Sequence, residues 1–362
     1  MANKYVLAIN PGSTSTKIAI FLGEEKILGQ NISHTTDELA PFPKIIDQHH
    51  FREKVILNFL KQNAFDVNLL AAVVGRGGLL GPMASGTYMV NDEMTEYLQK
   101  TKMEHASNLG ALLASDIAKT IKVDAYIVDP VTVDEMADIA KITGLPEIRR
   151  VSIFHALNQK AAAREAAKKL GKPYGNCRLI VAHLGGGISI GAHLDGQIID
   201  VNNALNGDGP FAPERAGSLP AWSLVELVLS GKYDAAALKK MITGKGGIVA
   251  HLNINDMRKV EEMVKGGDRK AIEVFEAMAY NVAKEIGSLA PVLEGKIDAI
   301  VLTGGIAFDE YFVELIRRRV KFLAQLIILP GEDEMTALAQ GAQRVLLGEE
   351  TPKHWIYAGG NA

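Results

Sequence analysis

Three short segments rich in small residues have the composition of phosphate-binding loops. Asn10 to Lys17 offers backbone N–H groups, hydroxyls and one cation; His183 to Gly187 contains three consecutive glycines; Thr303 to Ile306 begins with Thr-Gly-Gly. Rows of N–H and O–H donors suit phosphate oxygens, and glycine lets the backbone approach a ligand closely. For the first loop, a β-hairpin without a ligand is the alternative interpretation. The predicted nucleotide-binding residues are Asn10, Ser13, Thr14, Ser15, Lys17, His183, Gly185, Gly186, Gly187, Thr303, Gly304, Gly305 and Ile306.

The commoner nucleotide-binding motifs are absent from the sequence. There is no Gly-x4-Gly-Lys-Ser/Thr string, which excludes a P-loop. The glycines of Gly185 to Gly191 do not have the Gly-x-Gly-x-x-Gly spacing, and the segment after them is typical of a strand rather than a helix. A dinucleotide fingerprint is therefore excluded, and the loops must belong to another type of nucleotide site.

The elements around the first two loops follow the same order. In both places a buried strand, a loop of small residues, a second strand, a tight turn and a third strand succeed one another. We interpret this as an internal repeat of architecture. The predicted strands are 5–9, 17–22 and 26–30 in the first meander, and 178–182, 188–194 and 197–201 in the second.

Helical patterns fill most of the remaining chain. Apolar residues at helical spacing predict helices over 105–121, 158–170, 271–289, 309–323 and 334–347. Helices flanked by strands indicate the α/β class. A length of 362 residues predicts about two domains, and the pattern is interrupted between Thr143 and Val151.

Composition limits the partners. Apolar residues make up 48% and charged residues 22% of the chain, and the net charge is -3 without any Lys/Arg-rich run. Nucleic acid and membrane are therefore not expected as partners. Cys177 is the only cysteine, so no intrachain disulfide is possible. The apolar run near the amino terminus is too short for a signal sequence, and the expected location is the cytoplasm.

Four motifs in this order resemble the acetokinase family, within the actin, heat-shock and sugar-kinase superfamily. The resemblance extends from about residue 5 to residue 347. The Gly186 position, the segment Val74 to Leu80 and the loop Asn206 to Phe211 are most similar to butyrate kinases, since acetate kinases have Asn at the position of Gly186. The four motifs are Ile9 to Lys17, Arg149-Arg150 leading to Phe154-His155, Ala182 to Gly187, and Thr303 to Ile306.

The resemblance implies a fold and a reaction. The fold would be α/β, a two-domain actin-like (ribonuclease H-like) fold with duplicated mixed sheets flanked by helices and the nucleotide in the interdomain cleft. The first domain, 1–149 plus 341–362, would bind the acyl substrate and the first phosphate loop. The second, 150–340, would bind the nucleotide and form a homodimer or higher homo-oligomer. The reaction would be ATP + butanoate = ADP + butanoyl phosphate, by direct in-line transfer with Mg²⁺.

The family's functional residues match particular positions of this sequence. By resemblance the catalytic residues are Arg76, Asp129, His155 and Arg215, and Asn10 and Glu334 hold the magnesium ion. A carboxylate is already ionised at neutral pH, so the reaction needs cations rather than a general base. Gly75 stands where acetate kinases carry valine, and we hypothesise that its small size admits a four-carbon chain.

Other functions remain open at the level of sequence. The acid could be acetate, propionate or a branched acid such as isobutyrate. A sugar kinase of the same superfamily would need an aspartate base, for which Asp129 is the candidate. A non-transferring actin-like ATP-binding protein is the alternative from another class.

Overall fold

The computed structural model describes residues 5–101 and 103–357. The strands are β1 (Tyr5–Pro11), β2 (Ser15–Leu22), β3 (Glu25–Ser33), β4 (Leu70–Arg76), β5 (Thr87–Met89), β6 (Asp124–Val128), β7 (Arg178–Leu184), β8 (Ile188–Leu194), β9 (Gln197–Val201), β10 (Ala299–Gly304), β11 (Leu326–Pro330) and β12 (Lys353–His354). The helices are α1 (Thr36–Leu39), α2 (His49–Gln62), α3 (Asp92–Lys100), α4 (Asn108–Ile121), α5 (Ala156–Leu170), α6 (Ala221–Leu229), α7 (Ala235–Thr243), α8 (Gly247–Leu252), α9 (Met257–Lys265), α10 (Arg269–Ser288), α11 (Glu310–Val320) and α12 (Glu334–Leu346). Short 3₁₀ turns cover Ile45–Gln48, Val67–Leu69, Asp138–Lys141, Tyr174–Asn176, Pro291–Leu293 and Gly305–Phe308.

The chain forms two compact units, Met1–Val133 with Asp333–Ala362, and Asp134–Glu332. The first unit contains a seven-stranded mixed sheet in the order β12-β5-β6-β4-β1-β2-β3. Its centre is the parallel set β6-β4-β1, and β1, β2 and β3 form an antiparallel meander. Helix α4 packs on β1, β4 and β6, where Leu109 and Leu113 join Leu7, Ile9 and Val73 in a buried apolar cluster. Helix α12 packs against the same three strands.

The second unit contains a five-stranded mixed sheet in the order β11-β10-β7-β8-β9. Successive strand residues point to opposite faces of a sheet. Leu179 and Val181 of β7 accordingly pack with the alanines of α5, whereas Ile180 and Ala182 pack with α10 and α11. The sheet is therefore covered by helices on both faces, which explains why β7 and β10 read as continuous apolar runs.

The internal repeat predicted from the sequence is confirmed. In each unit an antiparallel meander begins with a strand that also pairs in parallel with a later strand, β1 with β4 and β7 with β10. The small-residue loops lie between the first and second strands of each meander. All five predicted helices are present, with bounds that differ by a few residues at their ends.

The divisions between the units fall at Val133/Asp134 and Glu332/Asp333, whereas the sequence interpretation divides the chain at 149/150 and 340/341. Two sets of contacts explain the structural divisions. Glu135 pairs with Lys160, and Arg150 pairs with Asp200, so the segment that precedes residue 150 is tied to the second unit. Helix α12 packs against the first sheet from its start at Glu334. The functional assignment of each domain stays a prediction.

Candidate active site

In the first unit, three parallel strands carry predicted site residues at their carboxyl ends. Asn10 lies near the end of β1, Arg76 ends β4, and Asp129 follows β6 directly. Ile9 is in register with Gly75, and Arg76 with Val128, so the three strands end at one edge of the sheet. Ligands of open α/β sheets bind at this edge, because the loops that follow the strands converge there.

Glu334 joins two of the predicted residues. Its Oε1 forms an ion pair with Arg76 Nη1 at 2.7 Å. Its Oε2 accepts a short hydrogen bond from the side-chain amide of Asn10. All three side chains are at least partly buried. His105 also lies close, since burial and then the charge of Arg76 lower its pKa. The predicted metal residues are therefore adjacent, and Arg76 shares their carboxylate.

The three acidic residues before and at the start of α12 have different surroundings. Asp333 caps the helix by accepting a hydrogen bond from the backbone N–H of Thr336. Glu334 contacts Asn10 and Arg76. Glu332 belongs to the second unit, where its Oε1 lies 3.6 Å from Nε2 of His183. Of the three, Glu334 is thus the one beside Asn10.

Asp129 has a constrained backbone. Its φ is +38°, which is uncommon for a residue other than glycine. Its carboxylate accepts a 2.7 Å hydrogen bond from the backbone N–H of Gly86, and its own N–H donates to the carbonyl of Gly86 at 3.1 Å. These two bonds hold a nearly inaccessible carboxylate (2% exposed) immediately after β6.

The loop between β1 and β2 is held from beneath by Arg52, a residue that sequence reasoning missed. The guanidinium, fully buried, donates to the carbonyls of Ser13 (3.0 Å) and Ser15 (2.6 Å), and to Oγ1 of Thr16 (3.1 Å). Gln48 accepts two further bonds. Burial lowers the pKa of Arg52 to about 10. These hydrogen bonds fix the backbone of the predicted phosphate loop, in which Ser13 and Thr14 are exposed. Lys17, in β2, is exposed as well.

In the second unit, His155 and His183 form a stacked pair. Their ring centroids are 3.8 Å apart and the ring planes are 15° from parallel. His183 Nδ1 contacts Asn158 Oδ1 at 2.7 Å, and His155 Nδ1 contacts Ser189 Oγ at 2.9 Å. Burial, together with the charge of Arg215, lowers the pKa of His183 to about 3. The pair therefore presents a neutral His183 at neutral pH.

Arg215 lies against the glycine loop. A Cβ atom on Gly187 would collide with the Arg215 guanidinium, so a larger residue there would force this guanidinium to move. Arg215 Nη1 donates to the carbonyl of Ala204 at 2.6 Å, whereas its buried Nε has no hydrogen-bond partner among the described residues. Gly185 lies beside Nε2 of His183, and Gly186 is exposed. The glycine loop, the stacked rings and Arg215 thus form one cluster.

The third loop follows directly after β10. Gly304 exchanges two backbone hydrogen bonds with Gly331, at 2.9 and 3.1 Å. The carbonyl of Gly331 also accepts a hydrogen bond from Thr303 Oγ1 at 3.1 Å. Gly305 is exposed and Ile306 is buried in a 3₁₀ turn. Thr303 is in register with His183 across the parallel pair β10 and β7, so the second and third loops leave adjacent strands.

The hypothesis about Gly75 is wrong. A Cβ atom at this position would collide with the backbone carbonyl of Gly110 in α4, and one on Gly110 would collide with the carbonyl of Arg76. Gly75 therefore allows α4 to pack closely on β4, and its small size does not enlarge an open pocket. A single sequence cannot separate these two reasons for a glycine.

Residues 134–354 match the sequence profile of the acetokinase family. This is more than half of the chain. The protein belongs to the acetokinase family. Membership makes it a phosphotransferase with a carboxyl group as acceptor, in an ATP-dependent family.

Several solved structures share this fold. An acetate kinase from Porphyromonas gingivalis is 20% identical with a TM-score of 0.76, covering 95% of this chain and 100% of its own. A propionate kinase from Francisella tularensis subsp. tularensis is 19% identical with a TM-score of 0.71, covering 93% and 98%. An acetate kinase from Entamoeba histolytica is 17% identical with a TM-score of 0.74, covering 95% and 100%. The predicted fold class, actin-like α/β with two mixed sheets and flanking helices, is confirmed.

No helix within residues 5–101 and 103–357 is both long and apolar enough to cross a membrane. The cytoplasmic location expected from the sequence stays a prediction.

Proposed function

We propose that this acetokinase-family protein phosphorylates butyrate with ATP to give butyryl phosphate and ADP, reversibly. A carboxylate oxygen of the acid attacks the γ-phosphorus, the new O–P bond forms, and the bond to the bridging oxygen of ADP breaks. The observation that carries the phosphoryl-transfer part of the proposal is the cluster of Arg215, the glycine loop and the stacked rings of His155 and His183. The choice of butyrate rests on the sequence resemblance at Gly186 and in the segments Val74 to Leu80 and Asn206 to Phe211. A guanidinium and backbone N–H groups beside one another suit an anionic phosphoryl group, because they supply positive charge and several donors.

In this proposal the second unit binds and neutralises the phosphoryl group. Arg215 supplies the positive charge of the cluster and binds a phosphoryl oxygen through its guanidinium, while Nη1 remains on Ala204. The backbone of Gly185 to Gly187 approaches the phosphates, and His155 contacts the phosphoryl group during transfer. Donors fixed before the reaction stabilise the developing charge most effectively, because they need no reorganisation.

In the first unit we assign the carboxylate of the acid to Arg76. A guanidinium has five N–H donors, so Arg76 can bind Glu334 through Nη1 and still bind a second carboxylate. Asp129 lies at the same sheet edge, where it holds the chain after β6. The loop Asn10 to Lys17 supplies donors for the nucleotide phosphates.

The pair Asn10 and Glu334 fits a magnesium ion by the chemistry of its donors. Mg²⁺ is commonly held by one or two carboxylates together with waters and substrate phosphates, and the pair offers one carboxylate and one amide oxygen. Among the described residues no group of three or more His, Cys, Asp or Glu side chains forms a denser metal site. When bound, Mg²⁺ neutralises charge on the nucleotide phosphates.

The test is a hydroxamate assay of acyl phosphate with ATP, Mg²⁺ and straight and branched acids of two to five carbons. We expect kcat/KM to be highest for butyrate, about 15-fold above acetate if two further methylenes are buried at about 0.8 kcal/mol each. Highest activity with acetate, propionate or isobutyrate would identify that acid as the substrate instead. Absence of product from every acid would refute the kinase proposal and favour a non-transferring ATP-binding protein.

We also propose that the protein self-associates, as the family resemblance implies. Helix α6 buries none of its residues, and Trp222, Val225 and Leu229 lie exposed at helical spacing. A second copy of the chain would cover this apolar surface. Sedimentation of the wild type and of Val225→Glu tests this: we expect a dimer or larger species that dissociates in the variant, whereas a monomeric wild type would contradict it.

A further inference from the structure

A buried chain of hydrogen bonds leads away from His155 into the second unit. His155 Nδ1 lies 2.9 Å from Ser189 Oγ, and Gln159 Nε2 lies 2.8 Å from the same oxygen. Gln159 Oε1 lies 3.0 Å from His193 Nε2, and His193 Nδ1 lies 2.9 Å from the hydroxyl of Tyr174. Ser189, Gln159 and His193 are all fully inaccessible to solvent.

One contact fixes the orientation of Gln159. Its Nε2 lies 3.1 Å from the backbone carbonyl of Ser189, which can only accept a hydrogen bond. The amide NH₂ must therefore face Ser189, and the amide oxygen must face His193. His193 consequently donates from Nε2 and, being neutral because burial holds its pKa well below the usual range, accepts at Nδ1 from the Tyr174 hydroxyl.

The same reasoning assigns the hydroxyl hydrogen of Ser189. One lone pair of Oγ already accepts from Gln159, and within residues 5–101 and 103–357 the remaining hydrogen-bond contact of this fully buried hydroxyl is His155 Nδ1. A buried O–H without an acceptor is unfavourable. The hydroxyl therefore donates to His155 Nδ1. A neutral His155 that accepts at Nδ1 must carry its proton on Nε2.

We propose that Ser189 and Gln159 are positioning residues that hold His155 as a permanent Nε2–H donor toward the transferring phosphoryl group. Every donor from Tyr174 to His155 points in the same direction, and hydrogen bonds in such a chain polarise one another. This inference deepens the proposed function and rests on it for the identity of the acceptor. Nothing in it requires His155 to gain or lose a proton during the transfer.

The tautomer of His155 can be measured without any enzymatic activity. Two-bond ¹H–¹⁵N correlation spectra of the histidine-labelled full chain distinguish a protonated from an unprotonated ring nitrogen, and His155→Gln assigns the signal. We expect His155 in the wild type to be protonated at Nε2 and unprotonated at Nδ1. A wild type protonated at Nδ1 would overturn the proposal, whether or not the protein is a kinase.

Kinetics give the second test. We expect Ser189→Ala to lower kcat about tenfold with little change in the KM values, as loss of one hydrogen bond worth about 1.4 kcal/mol would. Ser189→Cys keeps a weak donor of similar size, so its kcat should lie between that of the wild type and that of Ser189→Ala. Ser115→Ala removes a hydroxyl from a buried serine of the other unit and is the matched control. Gln159→Leu, which leaves the Ser189 hydroxyl in place, should lower kcat less than Ser189→Ala.

The outcomes separate the two proposals. If Ser189→Ala mixes the His155 tautomers and lowers kcat while the Ser115 variant does neither, the positioning role is supported. If the variant keeps both the wild-type tautomer and kcat, the role is refuted. If no acid is phosphorylated but the wild-type tautomer is as expected and is lost in Ser189→Ala, the proposed reaction fails while the positioning chain stands.

Discussion

His155 and His183 stack face to face, with 3.8 Å between their ring centroids. Two charged imidazoles at that separation would repel each other strongly. Burial and the neighbouring Arg215 lower the pKa of His183 to about 3, so this ring stays neutral at neutral pH. The stacked pair can therefore lie beside Arg215 without adding a second buried cation from His183.

The lowered pKa of His183 predicts a loss of stability in acid. The unfolded chain binds a proton at this residue near pH 6.5, whereas the folded chain binds it only near pH 3. Between these values the unfolded state holds more protons, so the free energy of unfolding falls as pH falls, by at most about 1.4 kcal/mol per pH unit for this group. We expect His183→Gln to reduce that slope in urea unfolding between pH 6.5 and pH 5.

The exposed His354 provides the control for this experiment, since His354→Gln also removes one histidine. A His183 variant with the same pH slope as the wild type would contradict the assignment. His193, whose pKa is also lowered by burial, should contribute a similar slope of its own.

Arg215 is expected to matter for catalysis and not for stability. Its Nε is a buried donor without a partner among the described residues, which disfavours the folded state. We expect Arg215→Met to lower kcat/KM for ATP by at least about 100-fold, as for other preorganised donors to developing charge. Its melting temperature should stay close to that of the wild type, because the variant loses the Nη1 bond to the Ala204 carbonyl but also removes the unpartnered Nε–H.

The exposed Arg258 of the same unit is the matched control, and Arg258→Met should leave kcat/KM unchanged. A fall in melting temperature together with full activity of Arg215→Met would show that Arg215 is structural instead.

Arg52 is expected to support the first phosphate loop. Arg52→Met leaves the carbonyls of Ser13 and Ser15 without their donor, at a cost of about 1–3 kcal/mol in the free energy of unfolding. Because the loop backbone is then less fixed, KM for ATP should rise about tenfold while the KM for the acid changes little. Lys54, an exposed cation on the same helix, gives the control Lys54→Met. Equal KM values for ATP in both variants would show that Arg52 does not support ATP binding.

Gly75 is expected to act through packing. Gly75→Ala places a methyl group against the backbone of Gly110 and should destabilise the protein by about 1–3 kcal/mol in urea unfolding. Gly287 in α10 has open space around it, so Gly287→Ala should be neutral or stabilising. A stable Gly75 variant whose KM rises for butyrate but not for acetate would restore the selectivity hypothesis rejected above.

Local sequence patterns predict much of the architecture. Alternating and continuous apolar runs predict both meanders, and helical spacing predicts α4, α5 and α10. These features depend on neighbours a few residues away, which is why composition and periodicity reveal them. The small-residue loops between the paired strands are likewise local, and their motifs were sufficient to suggest the family.

The tertiary structure alone decided the contacts between residues far apart in the chain. Arg52 lies 39 residues from Ser13, whose carbonyl it binds, and Gln159 lies 30 residues from Ser189. The hydrophobic periodicity of the sequence does not predict such pairs, because they depend on how complete helices and strands pack. The same holds for Gly75, whose neighbour Gly110 belongs to α4. The sequence supplied the chemical groups, and packing determined which of them meet and in which orientation.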